Sequence, residues 1–194
     1  MIKKHPLYNK MKNGLCGYEQ LFDLFRENKL IHHATNAANL LKILECDEIK
    51  YNDGSFKDSY LQSKDCYAKY KKCISLFDLV TPSIEQLIQV IDIWVSFVAK
   101  NNILICFDLK KLSDNIILND KFRNDATKNK KMRIGYIEAL YPIPLDIKLA
   151  KSFIVANNGG YKEYLNESKE IDQLKKILYP LKTKNKIEFF KSNY

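Results

Sequence analysis

The fold is decided by one continuous stretch of the chain, which reads Leu30-Ile-His-His-Ala-Thr-Asn-Ala-Ala-Asn-Leu-Leu-Lys-Ile-Leu44. Its apolar start, residues 30–33, predicts a short strand. Asn36 has the short polar side chain that favours a helix N-cap, and apolar residues then recur at helical spacing, which predicts a helix over residues 37–46. A strand that passes directly into a helix indicates that both kinds of element share one domain.

Helices and short strands continue to alternate on both sides of this stretch. Further helices are predicted over residues 18–28, after a start at Thr81-Pro82, and over 161–178; further strands are predicted over 73–77, 103–109, 115–118, 132–140 and 152–156. This order favours an α+β fold, with a split mixed or antiparallel β core flanked by helices, over a regular doubly wound α/β fold. We assign residues 1–194 to one domain, with a core at about 30–156, a helical N-terminal lead-in and a basic helical C-terminal tail.

The chain is basic, with a formal net charge of +9 at pH 7. Of its 32 cationic residues three are Arg, and the rest are Lys. Lys meets a phosphate as a point charge, whereas the planar guanidinium of Arg suits bidentate contacts to bases. The charge therefore indicates at most a non-specific attraction to polyanions.

Cysteine usage and hydropathy favour a cytoplasmic protein without membrane contact. The five cysteines are odd in number and form no C-x-x-C pair, which argues against a disulfide framework or a zinc site and fits a reducing compartment. The N-terminal residues do not resemble a signal peptide. The most apolar segment, residues 84–99, is too short and too polar to span a bilayer, so it predicts a buried helix. We expect no bound metal.

The quoted stretch also contains a motif with a chemical meaning. His33-Ala34-Thr35, followed by Asn39-Leu40 and Ile43-Leu44, resembles the first motif of the His-containing ADP-ribosyltransferase-like superfamily, which includes poly-ADP-ribosyl polymerases and DNA-targeting bacterial toxins. The resemblance implies that NAD is the co-substrate, that His33 holds its ribose beside nicotinamide, and that Thr35 also contributes to NAD binding.

Two later segments are similar to the remaining motifs of that superfamily. The strand Cys73-Ile-Ser-Leu-Phe-Asp78 matches the second, and implies that Ser75, or Tyr70 just upstream, forms the floor of the NAD pocket. Tyr136-Ile-Glu-Ala-Leu140 matches the third, and implies that Glu138 is the catalytic carboxylate, with His33 beside it. Cleaving the glycosidic bond of NAD develops positive charge at ribose C1′, which a fixed carboxylate would stabilise.

Each of these residues also has a simpler structural interpretation. His33 could be a hydrogen-bonded core histidine, while His32 points to the opposite strand face and is expected to be structural or exposed. Thr35 could serve as a turn residue or a helix cap. Glu138 lies among apolar neighbours, where an unpaired buried carboxylate would be costly, yet on an exposed strand it would simply face water.

The expected acceptor of ADP-ribose is a protein or a nucleic acid, and the resemblance suggests a toxin or phage-defence component with an inhibitory partner protein. A basic cluster could form the groove for a nucleic-acid backbone or another acceptor: Lys128, Lys130, Lys131 and Arg133. The alternative is a non-catalytic basic module of the same fold that binds nucleic acid or an acidic protein through this cluster and the tail. A metal-independent nuclease has less support.

Overall fold

A six-stranded β-sheet forms the centre of the protein in a computed structural model that describes residues 18–51, 66–131, 135–157 and 160–181. In chain order the strands are β1 (Leu30–Thr35), β2 (Glu48–Ile49), β3 (Ile74–Asp78), β4 (Ile103–Asp108), β5 (Glu138–Tyr141), β6 (Leu145–Asp146), β7 (Ala150–Asn157) and β8 (Gly160–Leu165). Their order across the sheet is β5-β3-β1-β4-β7-β8, and β2 pairs separately with β6. Every neighbouring pair is antiparallel, so the α+β prediction is confirmed with an antiparallel rather than a mixed sheet.

Helices cover both faces of this sheet. The α-helices of the described ranges are α1 (Tyr18–Glu27), α2 (Ala37–Cys46), α3 (Tyr67–Tyr70), α4 (Ile84–Asn101), α5 (Leu109–Leu112), α6 (Asn119–Lys128) and α7 (Ser168–Leu181), with 3-10 turns at Gly135–Ile137 and Ile147–Leu149. None of these helices is long and apolar enough to cross a membrane.

Strand β4 has an apolar core on each side, which explains its unbroken apolar sequence. Leu104 packs in a cluster with Phe25 of α1 and Trp94 of α4. Ile105 points the other way, into a cluster with Leu40 of α2 and with residues of α7. Because fully burying a large apolar side chain contributes about 1.5–3 kcal/mol, these two clusters supply most of the driving force for the three-layered arrangement.

Helix α4 begins later than the sequence predicts. Its N-cap is Ser83, whose hydroxyl accepts a hydrogen bond from the Gln86 amide at 3.4 Å while Gln86 Oε1 accepts one from the Ser83 amide at 2.9 Å. This reciprocal pair is a capping box. The predicted start at Thr81-Pro82 is wrong because the Thr81 hydroxyl bonds to Asp78 instead, which closes the turn after β3.

Three other predicted elements differ from the structure. The first part of the helix predicted over 161–178 is the edge strand β8, and the helix itself is α7. The strand predicted over 132–140 begins only at Glu138, after a 3-10 turn. The strand predicted over 115–118 is reduced to a single bridge between Ile117 and Leu140. Residues 1–17 and the predicted tail, 182–194, lie outside the described part of the chain.

Strand β1 separates from one of its two neighbours, and this separation positions the candidate site. It pairs with β4 along its whole length, from Leu30 to Thr35. Within the described strands β1 and β3, however, the pairing is confined to Ile31 with Asp78 and His32 with Phe77. Beyond His32 the two described strands have no further register pairs, and the His33 side chain bonds to the backbone oxygen of Ser75 instead.

Candidate functional site

His33 fills the point where β1 and β3 part. Its Nδ1 lies 3.1 Å from the backbone oxygen of Ser75. Because a carbonyl oxygen can only accept, Nδ1 must carry the proton, and Nε2 of the neutral ring is left as a hydrogen-bond acceptor. Burial lowers the pKa of His33, and the bond to Ser75 only partly opposes that shift. The ring is therefore neutral at physiological pH, and its Nε2 can accept a hydrogen bond from a hydroxyl group.

Ser75 connects this histidine to the predicted catalytic carboxylate. Its Oγ donates a hydrogen bond to Glu138 Oε1 at 3.1 Å. Glu138 is the first residue of β5 and exposes only 1% of its surface, so it does not occupy a solvent face of the sheet. A buried carboxylate is tolerated when such hydrogen bonds replace water. His33, Ser75 and Glu138 thus form one hydrogen-bonded chain across three adjacent strands.

The two ends of this chain lie on opposite faces of the sheet. Phe77 is the register partner of both His32 and Glu138, so these residues and Ser75, two positions before Phe77, share one face. His33 lies on the other face, together with Thr35. The sheet therefore separates the imidazole from the carboxylate, and Glu138 is level with the His32–Phe77 pair, where β1 and β3 are still paired.

His32 is part of the core, so it is structural rather than exposed, the two alternatives expected from the sequence. Its ring stacks on Phe25 at 4.2 Å and on Phe77 at 5.3 Å between centroids, and its Nε2 accepts a hydrogen bond of 2.9 Å from Trp94 Nε1. Burial, followed by the neighbouring His33, lowers the pKa of His32 to about 3. The ring is neutral and structural, and it anchors the strand on which His33 is carried.

The two other predicted NAD-binding residues lie in different surroundings. Thr35 ends β1 and is 4% exposed, close to His33 in sequence and on the same face. Tyr70 ends the short helix α3 and is 50% exposed. Its ring centroid lies 5.4 Å from Lys71 Nζ and 5.5 Å from Lys131 Nζ. Among the described residues no contact joins Tyr70 to the His33–Ser75–Glu138 chain, so Ser75 is the better candidate for the pocket floor.

The predicted basic cluster lies beside Tyr70. Lys128 ends α6, and Lys130 and Lys131 follow it, whereas Arg133 lies outside the described residues. Sequence reasoning missed Lys71, which reaches the same place from α3 and forms a salt bridge of 3.0 Å with Asp125. The lysines next to Tyr70 can be read from the sequence. That they lie close to the end of α6 is known only from the tertiary structure.

A surface hollow of the described residues does not coincide with the predicted site. It holds about 440 Å³ and lies between α2 and α7, where Leu44, Asp47, Lys148, Asn166 and Lys175 are among its lining residues. No residue of the His33–Ser75–Glu138 chain lines it. Within the described ranges, no three His, Cys, Asp or Glu side chains are grouped so that they could hold a metal ion.

Comparison of the chain with models of protein families, with curated proteins and with solved structures yields no significant match. The class of protein that is established is therefore the one defined by the fold, an α+β domain with a six-stranded antiparallel sheet between helices.

Proposed function

We propose that the protein is an NAD-dependent ADP-ribosyltransferase-like enzyme that acts on a protein or nucleic-acid acceptor. The observation that carries the proposal is the hydrogen-bonded chain from His33 through Ser75 to Glu138. The members of this chain lie 42 and 63 positions apart in sequence, and they are the residues that the three motifs single out. The Ser75 side chain meets Glu138 on one face of the sheet, while its backbone oxygen is bonded to His33.

The reaction assigned to this site breaks the bond between nicotinamide N1 and ribose C1′ of NAD. The bonding electron pair leaves with nicotinamide, which becomes neutral, and positive charge develops on the ribose. Glu138 would stabilise that charge through its carboxylate and would take the proton of the attacking acceptor, whose nucleophilic atom bonds to C1′. The hydrogen bond from Ser75 would hold the carboxylate in one orientation during this step.

His33 and Thr35 would bind the nicotinamide half of NAD from the other face of the sheet. With Nδ1 bonded to Ser75, the Nε2 atom of His33 is an acceptor for a ribose hydroxyl. The parting of β1 and β3 beyond His32 leaves backbone groups that could pair with a carboxamide. Glu138 is almost fully buried. The proposal therefore requires the residues that bury this carboxylate to move when NAD binds.

The deciding experiment measures release of labelled nicotinamide from NAD by the full chain, with water, nucleic acid or a bacterial lysate as the acceptor. The key variant is Glu138→Gln, which keeps the shape of the side chain and its ability to accept from Ser75 but removes the charge. We expect loss of at least about 100-fold in rate, the scale seen when one stabilising group is removed from a transition state.

Glu163→Gln is a matched control, because Glu163 also accepts a hydrogen bond from a serine on the neighbouring strand, Ser152, at 2.5 Å. It should retain wild-type activity. Equal rates for wild type and Glu138→Gln would contradict the proposal. Wild-type protein that neither binds nor consumes NAD with any of these acceptors would favour the non-catalytic binding module.

A toxin or phage-defence role, with an inhibitory partner, is proposed on the motif resemblance alone. It predicts that expressing the wild-type chain slows bacterial growth and that the Glu138→Gln chain does not. Equal growth inhibition by both chains would show that any toxicity does not come from the proposed cleavage of NAD.

A further inference from the structure

The structure brings two lysine-rich segments together around an exposed aromatic ring. The Tyr70 surface, as we name it, consists of residues 69–72 and 128–131, with Tyr70 at its centre. We propose that this surface binds single-stranded nucleic acid, with one base stacked on Tyr70 and the neighbouring phosphates against the lysines. The proposal goes beyond the enzymatic function and does not depend on NAD chemistry.

The first support is the exposure and environment of the ring. Tyr70 leaves 50% of its surface in contact with solvent. Ammonium groups from both segments lie over the ring, Lys71 at 5.4 Å and Lys131 at 5.5 Å from its centroid, and the centroid of the Tyr67 ring is 6.0 Å away. A stacking base would therefore replace an ammonium group over the ring, and the displaced lysine would stay beside it to meet a phosphate. Sequence-tolerant binding of single strands uses this combination of an aromatic platform and positive charge.

The second support is that the two segments are joined by defined contacts. Asp125 of α6 accepts a hydrogen bond from the Tyr67 hydroxyl and a salt bridge of 3.0 Å from Lys71. Those contacts, the Tyr67 hydrogen bond first, lower the pKa of Asp125, so its carboxylate stays charged and engaged. Tyr67 also stacks on Phe122 at 5.2 Å between centroids. The spacing between the segments is therefore set by the fold.

The third support is charge. Residues 69–72 contain three lysines and residues 128–131 contain three more; neither segment contains an acid, and the Asp125 carboxylate between them is paired with Lys71. Phosphates spaced along a flexible strand can meet such cations without a fixed register.

Single-stranded nucleic acid fits this surface better than two other polyanions. In a duplex the bases are stacked on one another and offer no free face to Tyr70. An acidic protein would gain from the lysines but would leave the aromatic ring unused. A single nucleotide with an unstacked base uses both features of the surface, the ring through its base and the lysines through its phosphate.

The test measures fluorescence anisotropy of a labelled thymidine oligonucleotide of about 12 residues, within the site size of known single-strand binders, titrated with the full chain at fixed low salt. Tyr70→Ala should weaken binding by about 5- to 150-fold, the range for losing one base stack. Tyr70→Phe should retain affinity, since it keeps the ring. Lys131→Gln should reduce the slope of log affinity against log salt by about 0.7.

Tyr179→Ala is the matched control, because Tyr179 is a 57% exposed tyrosine on α7, and it should leave affinity unchanged. Circular dichroism checks that each variant is folded. The proposal is overturned by absent binding of the wild type, by equal affinity of Tyr70→Ala and Tyr179→Ala, or by a duplex that binds as tightly as the single strand. Polyglutamate that binds with the same dependence on Tyr70 would identify an acidic protein as the partner instead.

Discussion

The Ser75 hydroxyl donates a hydrogen bond of 3.1 Å to Oε1 of Glu138, a residue 63 positions later in the chain. The same serine accepts a hydrogen bond from His33 through its backbone oxygen. Ser75 is therefore the junction of the site, and it holds the buried carboxylate and the imidazole in a defined relationship. The bond also matters for folding. Without it, the buried carboxylate would lose a hydrogen bond that water supplies in the unfolded chain.

Ser75→Ala should reduce both stability and NAD cleavage. Removing a hydrogen bond to a buried charged group costs about 1.5–3 kcal/mol, which urea unfolding followed by circular dichroism can measure. The control is Ser113→Ala, since Ser113 is exposed and its hydroxyl bonds only to near neighbours in sequence, the Lys110 oxygen and the Asp114 carboxylate. A loss of stability no larger than that of Ser113→Ala would show that the carboxylate does not depend on Ser75.

His32 predicts that stability falls as the pH is lowered below neutrality. Its pKa is about 3 in the folded protein against an ordinary value of 6.5, so between these values the unfolded chain binds a proton that the folded chain does not. The contribution is complete above pH 6.5 and is lost at about 1.4 kcal/mol per pH unit below it, down to about pH 3. His33, whose pKa is also lowered, acts in the same direction.

His32→Gln tests this origin, because the amide oxygen can still accept from Trp94 but does not titrate. Urea unfolding of both proteins at pH 7 and pH 5 should show a smaller loss of stability in the variant, by about 2 kcal/mol for one histidine across this interval. Parallel losses in the two proteins would show that the buried imidazole does not set the acid sensitivity.

Gly135 positions the start of β5, and an added side chain there should be strongly destabilising. Its φ is +69°, and a Cβ would lie 2.6 Å from Cγ1 of Val90. Gly135→Ala combines backbone strain with this overlap and should cost about 2–4 kcal/mol in thermal or urea unfolding. Val90→Ala in the same chain should recover part of that loss.

Gly160→Ala is the comparison for this experiment, since Gly160 also has a positive φ of 151° but an added Cβ would meet nothing within 4 Å. It should cost less than Gly135→Ala, because strain acts there without overlap. If the Val90→Ala substitution recovers nothing, the contact with α4 is not what limits the space at Gly135.

Local patterns predicted much of the secondary structure. Asn36 caps α2 as its side chain predicts, accepting from the Asn39 amide at 2.9 Å, and the apolar run of β4 lies where it was placed. The predicted helix over 161–178 was partly wrong because residues 160–165 gain their hydrogen bonds from β7. A segment with both polar and apolar residues can form a helix or a strand. It forms a strand when a neighbouring strand, here β7, has an unpaired edge to which it can bond.

The sequence by itself determined the elements whose hydrogen bonds and apolar contacts are local, which is why the class of fold could be predicted. It also carried the segments whose resemblance to family motifs pointed to His33, Ser75 and Glu138. Only the tertiary structure decided that these three residues form one hydrogen-bonded chain, that Glu138 is buried, and that Tyr70 belongs with Lys71 and Lys131. The physical reason is that strand pairing and side-chain contacts between distant segments depend on how the whole chain closes around its core, which no local pattern encodes.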